Sequence, residues 1–203
     1  MFYEPKDGHG LPRDPIKACV VPRPIGWIST LSTAGVANLA PFSFSNLVTS
    51  SPPMFMFCCN GAHLEGGVKD SALNAEETGE FVYNMVTWET REAMNKTSAS
   101  LGRAEDEFEV AGLTKAPSKL VKAPRVAEAP ISLECRTWKS IELPAGSTDA
   151  HNVMVIGEVI GVHISNEVLE EGLVNIPQIR PFARLGYKDY SVVDKLVTLA
   201  RLD

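Results

Sequence analysis

The chain is short of cysteine, of positive charge and of long apolar runs, and each shortage removes a class of protein. Four cysteines in 203 residues (Cys19, Cys58, Cys59 and Cys135) are too few and too scattered for a disulfide scaffold, and no CxxC pair offers a zinc site. Cys58 and Cys59 stand together in "MFMFCCN", where cysteine serves as a small buried hydrophobe. Nineteen basic residues against 25 acidic ones leave a net charge of −6, so the basic footprint of a nucleic-acid binder is missing. No run reaches the roughly 18 apolar residues of a membrane-spanning helix. The opening "MFYEPKDGHG" lacks the basic-then-apolar layout of a signal peptide, and a cytoplasmic location is the expectation. GxGxxG, GxxxxGK[ST] and GxSxG are all absent, and His9, His63, His151 and His163 show no HExxH spacing. A Rossmann site, a P-loop, a zinc-protease helix and a nucleophile elbow are therefore not expected.

What is present is an ordinary globular balance, 44% hydrophobic and 22% charged, enough for the core of one domain. Residues 1–12 read as a polar arm, 13–165 as the body and 166–203 as a C-terminal extension. Pro22 and Pro24 make 17–24 an edge or bulged stretch, followed by a strand at 25–31. "STAG" at 32–35 predicts a hairpin turn, 36–44 a returning strand and 54–59 a third one. Asp70 or Ser71 caps a short helix that Gly79 ends. A strand at 81–86 and a helix over 88–100 follow, and 101–125 reads as a surface excursion. Two more strands occupy 131–143 and 153–164, the latter apolar on both faces and expected to be deeply buried. Strands outnumber helices and lack βα alternation, which predicts an antiparallel barrel, closed or partly open, with helices outside it.

Two neighbouring runs, "RPIGWIST" at 23–30 and "NLAPFSFSN" at 38–46, mix uncharged polar residues into apolar strands. Ser29 and Thr30 on one strand face Asn38, Ala40, Pro41 and Ser43 on the next, an array of hydroxyls, an amide and backbone groups beside flat apolar surface. A planar heteroaromatic ring needs those groups. Lys69 and the amides after it, at a helix start, suit an anionic group such as phosphate.

The series "RPIGWIST", "NLAPFS" and "KDS", with "GEV" at 157–159 and "RLGYKDYSVV" near the end, resembles the flavin reductase-like family of FMN-binding split barrels. The likeness covers roughly 15–165 and implies a mainly β fold, an antiparallel Greek-key split barrel with peripheral helices. It implies FMN, in some members FAD, bound near the interface of a homodimer. NADH or NADPH serves as transient co-substrate, and some members supply reduced flavin to a monooxygenase or pass electrons to a redox protein. Carried onto this chain, Ser29 and Thr30 would touch the ring or ribityl chain. Asn38, Leu39, Ala40 and Pro41 would line the ring, Ser43 would reach toward ribityl or phosphate, and Asn60 would add a contact. Lys69, Asp70 and Ser71 would form the phosphate end, and Trp27 either covers ring surface or is plain core. Some members carry a histidine five residues before the Gly of Gly-Glu-Val. Here that position is Asn152, with His151 one step back, and a one-residue slip points a side chain to the opposite face. An unbroken strand puts Asn152 in the pocket; a bulge puts His151 there. Arg23 and Arg184 are either surface residues or attractors of a nicotinamide phosphate. No metal ligands are expected.

Overall fold

The computed structural model describes residues 1–200. After the exposed arm, the two-residue strand β1 (Arg23–Pro24) leads into β2 (Gly26–Leu31), and a turn with Gly35 at φ 84° sends the chain back as β3 (Ala37–Phe42). β4 (Ser45–Ser50) and β5 (Pro53–Asn60) form the next hairpin, followed by helix α1 (Asp70–Thr78) and β6 (Glu80–Met85). Gly79 ends α1 in the left-handed region at φ 73°, as a C-terminal glycine does. Short helices α2 (Arg91–Lys96) and α3 (Glu107–Ala111) precede the small pair β7 (Lys115–Ala116) and β8 (Arg125–Val126). Two long strands, β9 (Ile131–Leu143) and β10 (Asn152–Ile164), complete the main sheet. The last part holds β11 (Leu169–Glu170), β12 (Leu173–Val174), α4 (Ile176–Ile179), β13 (Phe182–Arg184) and β14 (Tyr190–Val192).

Seven strands hydrogen-bond in the order β3-β2-β6-β9-β10-β5-β4, every pair antiparallel. A separate sheet, β1-β13-β14, ties the C-terminal part back to Arg23 and Pro24. β2 is covered on both faces, and this explains why its polar residues are interior. Ile28 packs with Phe57, Phe81 and the α1 alanines Ala72 and Ala75, whereas Trp27 packs with Leu39, Met94, Phe108 and Val126 on the other side. Two cores thus share one strand as their wall.

Several sequence expectations are corrected. β10 is not buried on both faces: Val153, Val155 and Val159 point inward, while Val162 is 60% exposed and Ile164 is also open to solvent. The 101–125 segment is more than a surface excursion, because Phe108 is fully buried in the second core and Ala123 is fully buried as well. The helix expected over 88–100 shrinks to Arg91–Lys96, since Thr87 and Thr90 bond each other through backbone and hydroxyl (Thr87 N to Thr90 Oγ1, 3.0 Å) and so compete with helix. β4, "SNLVTS", was not expected; it is a mostly exposed edge strand bonded only to β5, and its polar residues carry no burial pattern to read. The returning strand stops at Phe42 because Ser45 Oγ turns back to the Phe42 carbonyl (2.9 Å) and accepts from Gly26 N (2.8 Å).

Gly157 marks a close approach where the β9–β10 register shifts. A Cβ there would lie 2.5 Å from the Phe81 ring and 3.0 Å from the Arg136 carbonyl. Gly157→Ala is expected to cost about 1–3 kcal/mol through overpacking, read as a lower urea midpoint at unchanged m-value.

Candidate functional site

Beside the start of α1 lies an open cleft of ≈ 290 Å³. Four stretches of chain wall it. β3 and its exit supply Asn38, Ala40, Pro41 and Ser43; β5 supplies Cys58 and Asn60; the α1 start supplies Lys69, Asp70 and Ser71; and residues 97–101 with Glu107 close the far side. Ala40 and Pro41 give the lining an apolar part, and Asn38, Ser43, Asn60 and Ser71 give it hydroxyls and amides.

The helix start is unusual. Lys69 occupies the N-cap position in extended conformation, and no side chain caps the helix. Its carbonyl accepts from the Ala72 and Leu73 amides, both at 3.0 Å, so the ladder begins only there. The Asp70 and Ser71 amides precede it and keep the donor capacity of a helix N-terminus. The Asp70 carboxylate does not repel an anion as strongly as its charge suggests, because it is paired with His63 Nε2 at 3.2 Å and with Arg103. Arg103 also donates to the Gly66 and Val68 carbonyls at 2.9 and 3.0 Å, and thereby ties the glycine-containing 61–67 loop to the helix. His63 Nδ1 accepts from Glu65 N at 3.0 Å, which assigns the ring proton to Nε2, toward Asp70.

Asn38 is the hub of the polar wall. Its Nδ2 donates to Glu107 Oε1 at 3.0 Å, and its Oδ1 accepts from Ser71 Oγ at 2.7 Å and from Thr30 Oγ1 at 3.4 Å. The other Glu107 oxygen accepts from Leu39 N at 2.9 Å. Burial pushes the Glu107 carboxyl above the usual carboxylate range, with the Leu39 amide and Asn38 opposing the shift and the Asp70 charge adding to it. Glu107 thus fixes which way the Asn38 amide points and joins α3 to β3.

The structure brings Asn38, Ala40, Pro41, Ser43, Asn60, Lys69, Asp70 and Ser71 to one cleft. It sets Ser29, Thr30 and Leu39 behind the wall, all three fully buried. Ser29 donates to the Pro124 carbonyl and accepts from Asn84 Nδ2 (3.1 Å), while Thr30 accepts from Asn74 Nδ2 (3.1 Å). Trp27 is core: fully buried, with its indole N–H on Thr97 Oγ1 at 2.8 Å. β10 runs in unbroken register from Asn152 to Ile156, and Asn152 lies opposite Asn60. Its side chain donates to the Pro144 carbonyl at 2.9 Å, and His151 Nδ1 is 3.9 Å from the Glu142 carboxylate. Neither residue lies on the cleft wall. Glu107, His63 and 97–101 were not foreseen. The helix that carries Glu107 was legible, because Asp106 caps α3 (Phe108 N to Oδ1, 2.9 Å) and Gly112 ends it, but nothing local names Glu107's partners.

Among the described residues, no group of three His, Cys, Asp or Glu side chains is placed to hold a metal ion. No helix there is long and apolar enough to cross a membrane. An antiparallel sheet carries a cleft that combines apolar residues with an uncapped helix start. The sequence profile of the flavin reductase like domain matches residues 18–184. An uncharacterized protein of Aquifex aeolicus is 42% identical over 172 residues, which cover 84% of each chain. Nitrilotriacetate monooxygenase component B from Bacillus cereus superposes with a TM-score of 0.83 at 30% identity, covering 91% of this chain and 90% of that one. A putative flavin reductase with a split barrel domain from Shewanella frigidimarina shares the fold, with a TM-score of 0.78 at 24% identity over 92% and 90% of the two chains. The chain belongs to the flavin reductase-like family and has its split-barrel fold.

Proposed function

We propose that this protein binds FMN in the cleft and reduces flavin at the expense of NADH or NADPH. The observation that carries the reading is the uncapped α1 start, with Lys69 at the N-cap, opening on the same cleft as the apolar Ala40–Pro41 wall. The residues present fit FMN: a flat apolar face for the ring, and helix amides with an ammonium for the phosphate. Bound flavin supplies the hydride-accepting centre. The chain's part is to hold and orient. Lys69 and the Asp70 and Ser71 amides take the phosphate; Asn38, fixed by Glu107 and Ser71, presents a polar edge; Pro41 and Cys58 exclude water from one side. Asn152 shares a sheet face with Asn60 and Cys58, which favours it over His151 as the residue nearer a nicotinamide.

The test is direct. Purified protein equilibrated with FMN is expected to quench its fluorescence, and NADH or NADPH is expected to bleach the bound flavin. Continued oxidation of nucleotide with excess free FMN marks a flavin reductase. Bleaching without turnover of free FMN marks an electron carrier for another acceptor, such as a redox protein, and uptake without bleaching marks a flavin-binding protein. Failure to quench at micromolar FMN overturns the cofactor assignment. A homodimer belongs to the same proposal, supported by the edge strand β4, whose Leu47 and Val48 are both about half exposed. The similarity to a monooxygenase component supports a flavin-dependent monooxygenase as the recipient of reduced flavin.

A further inference from the structure

A second cavity of ≈ 300 Å³ adjoins the cleft and shares Lys17, Pro41, Ser43, Phe44 and Ser98 with it. Its charged lining is all cationic: Arg23, Arg184 and, at the exposed rim, Lys17. Its aromatic lining is Phe44, Tyr187 and Tyr190. In a chain of net charge −6 such a cluster is not a by-product of composition.

Arg23 and Arg184 are directly opposite each other in the β1–β13 register, an arrangement that destabilises a sheet when both residues carry the same charge. Among the described residues, no carboxylate oxygen comes within 4.0 Å of a side-chain nitrogen of Lys17, Arg23 or Arg184. Arg23 is only 6% exposed. Its guanidinium donates to the carbonyls of Lys17, Val20 (2.7 Å) and Leu185 (2.9 Å), groups that hold it in place without neutralising it. Its Nε is buried with no partner. Burial first, and then the charge of Arg184, pull its pKa below the ordinary arginine value, as befits a cation without a counterion. Asp189, in the adjoining turn, forms no ion pair with either arginine within 4.0 Å.

The aromatic groups are layered with these cations. Arg184 lies 4.4 Å from the Tyr190 ring centroid, and Tyr190 stacks on Phe182 at 4.9 Å and 7°. Arg23 lies 5.7 Å from the Phe44 ring. Arg184 also donates to the Tyr190 hydroxyl and the Tyr187 carbonyl, so both guanidinium groups are held in place by neutral oxygens. Aromatic rings flanked by guanidinium groups without a counterion suit a flat ligand with a negative substituent. The volume suits a body of one or two rings, at the small end of ligand pockets.

We propose that this second cavity binds a planar aromatic anion, with Arg184 and Arg23 holding its charge and Tyr187, Tyr190 and Phe44 its ring. Arg23, Arg184, Tyr187 and Tyr190 line this cavity and not the first cleft, and the proposal does not require flavin there. Benzoate and phenyl phosphate are the probes, the carboxylate and phosphate forms of one ring, with benzyl alcohol as the neutral counterpart. Each is titrated calorimetrically into the full chain, once without flavin and once saturated with FMN. At least one anion is expected to bind at one per chain, more weakly as salt rises, and benzyl alcohol at least tenfold more weakly still. Arg184→Gln is expected to lower anion affinity tenfold or more, and Arg184→Lys to restore most of it. The salt dependence of the unaltered protein keeps the test valid if Arg184→Gln fails to fold. Equal binding of benzyl alcohol, indifference to both salt and Arg184→Gln, or no binding of either anion at millimolar concentration overturns the proposal. So does competition of benzoate with FMN but not with riboflavin, which would make this cavity the seat of the flavin phosphate. Failure of FMN uptake would instead sink the flavin reading, and the flavin-free titration would still decide this one.

Discussion

Glu134→Ala is expected to lower the unfolding free energy by about 3–5 kcal/mol, a large part of the roughly 5–15 kcal/mol that holds a domain together. Glu134 is fully buried on β9, and its carboxylate accepts from the amides of Lys119 (2.8 Å), Leu120 (2.6 Å) and Val121 (3.1 Å), and from the His163 ring. Alanine leaves three backbone donors and an imidazole without their partner, and an orphaned buried donor costs more than its bond contributed. Glu80 carries on the same work with the Lys122 and Ala123 amides, so two carboxylates serve five consecutive N–H groups. Urea unfolding gives the number; a loss under about 1 kcal/mol would show that water replaces the carboxylate at no penalty. The pH dependence has a definite sign. Burial would raise the Glu134 pKa, but the Lys119 amide, the His163 ring and the Leu120 amide outweigh it and hold the carboxyl below its ordinary value. The unfolded chain then binds more protons than the native one in acid. The Glu134 contribution is full above the unfolded carboxylate pKa and is lost as pH falls through the lower native one. Glu134→Gln should flatten that acid limb.

Lys69→Ala is expected to weaken FMN binding by about 1–3 kcal/mol, or roughly 5- to 150-fold, and to leave riboflavin affinity unchanged. The contrast between the two ligands isolates the phosphate, because they share ring and ribityl chain. The helix amides remain in the variant, so binding should weaken and not vanish. Fluorescence titration of both ligands decides it. An equal loss for FMN and riboflavin would move the phosphate away from α1 and turn Lys69 into a residue of the ring end.

The site was legible in the sequence where local chemistry and position coincide. Asn38, Ala40, Pro41 and Ser43 stand out because polar residues and a proline interrupt an apolar strand, and Lys69–Ser71 because a helix start follows a loop. Ser29 and Thr30 share that local appearance, yet they face inward. Strand alternation separates faces only when one face is solvent, and β2 has a core on each side. Glu107 was hidden for a different reason. Its partners Asn38 and Leu39 are 69 and 68 residues away, and no pattern within "EDEFEVAGL" names them. β10 misled through composition: its exposed Val162 and Ile164 look the same as its buried valines until the neighbouring strands are known. The edge strand β4 was missed because an edge needs only one partner and few apolar residues.

The hydrogen bonds from Asn38 and Leu39 to Glu107 also say something about the order in which the chain assembles. The β2–β3, β4–β5 and β9–β10 pairs close over short turns and are cheap in loop entropy, whereas β2–β6, β5–β10 and the Glu107 bridge join distant stretches. Hairpins can therefore come first, while the part of the cleft lining that Glu107 supplies forms only when α3 docks. FMN quenching during refolding is consequently expected to lag the gain of sheet signal in circular dichroism, because it needs the long-range contacts and not the hairpins alone.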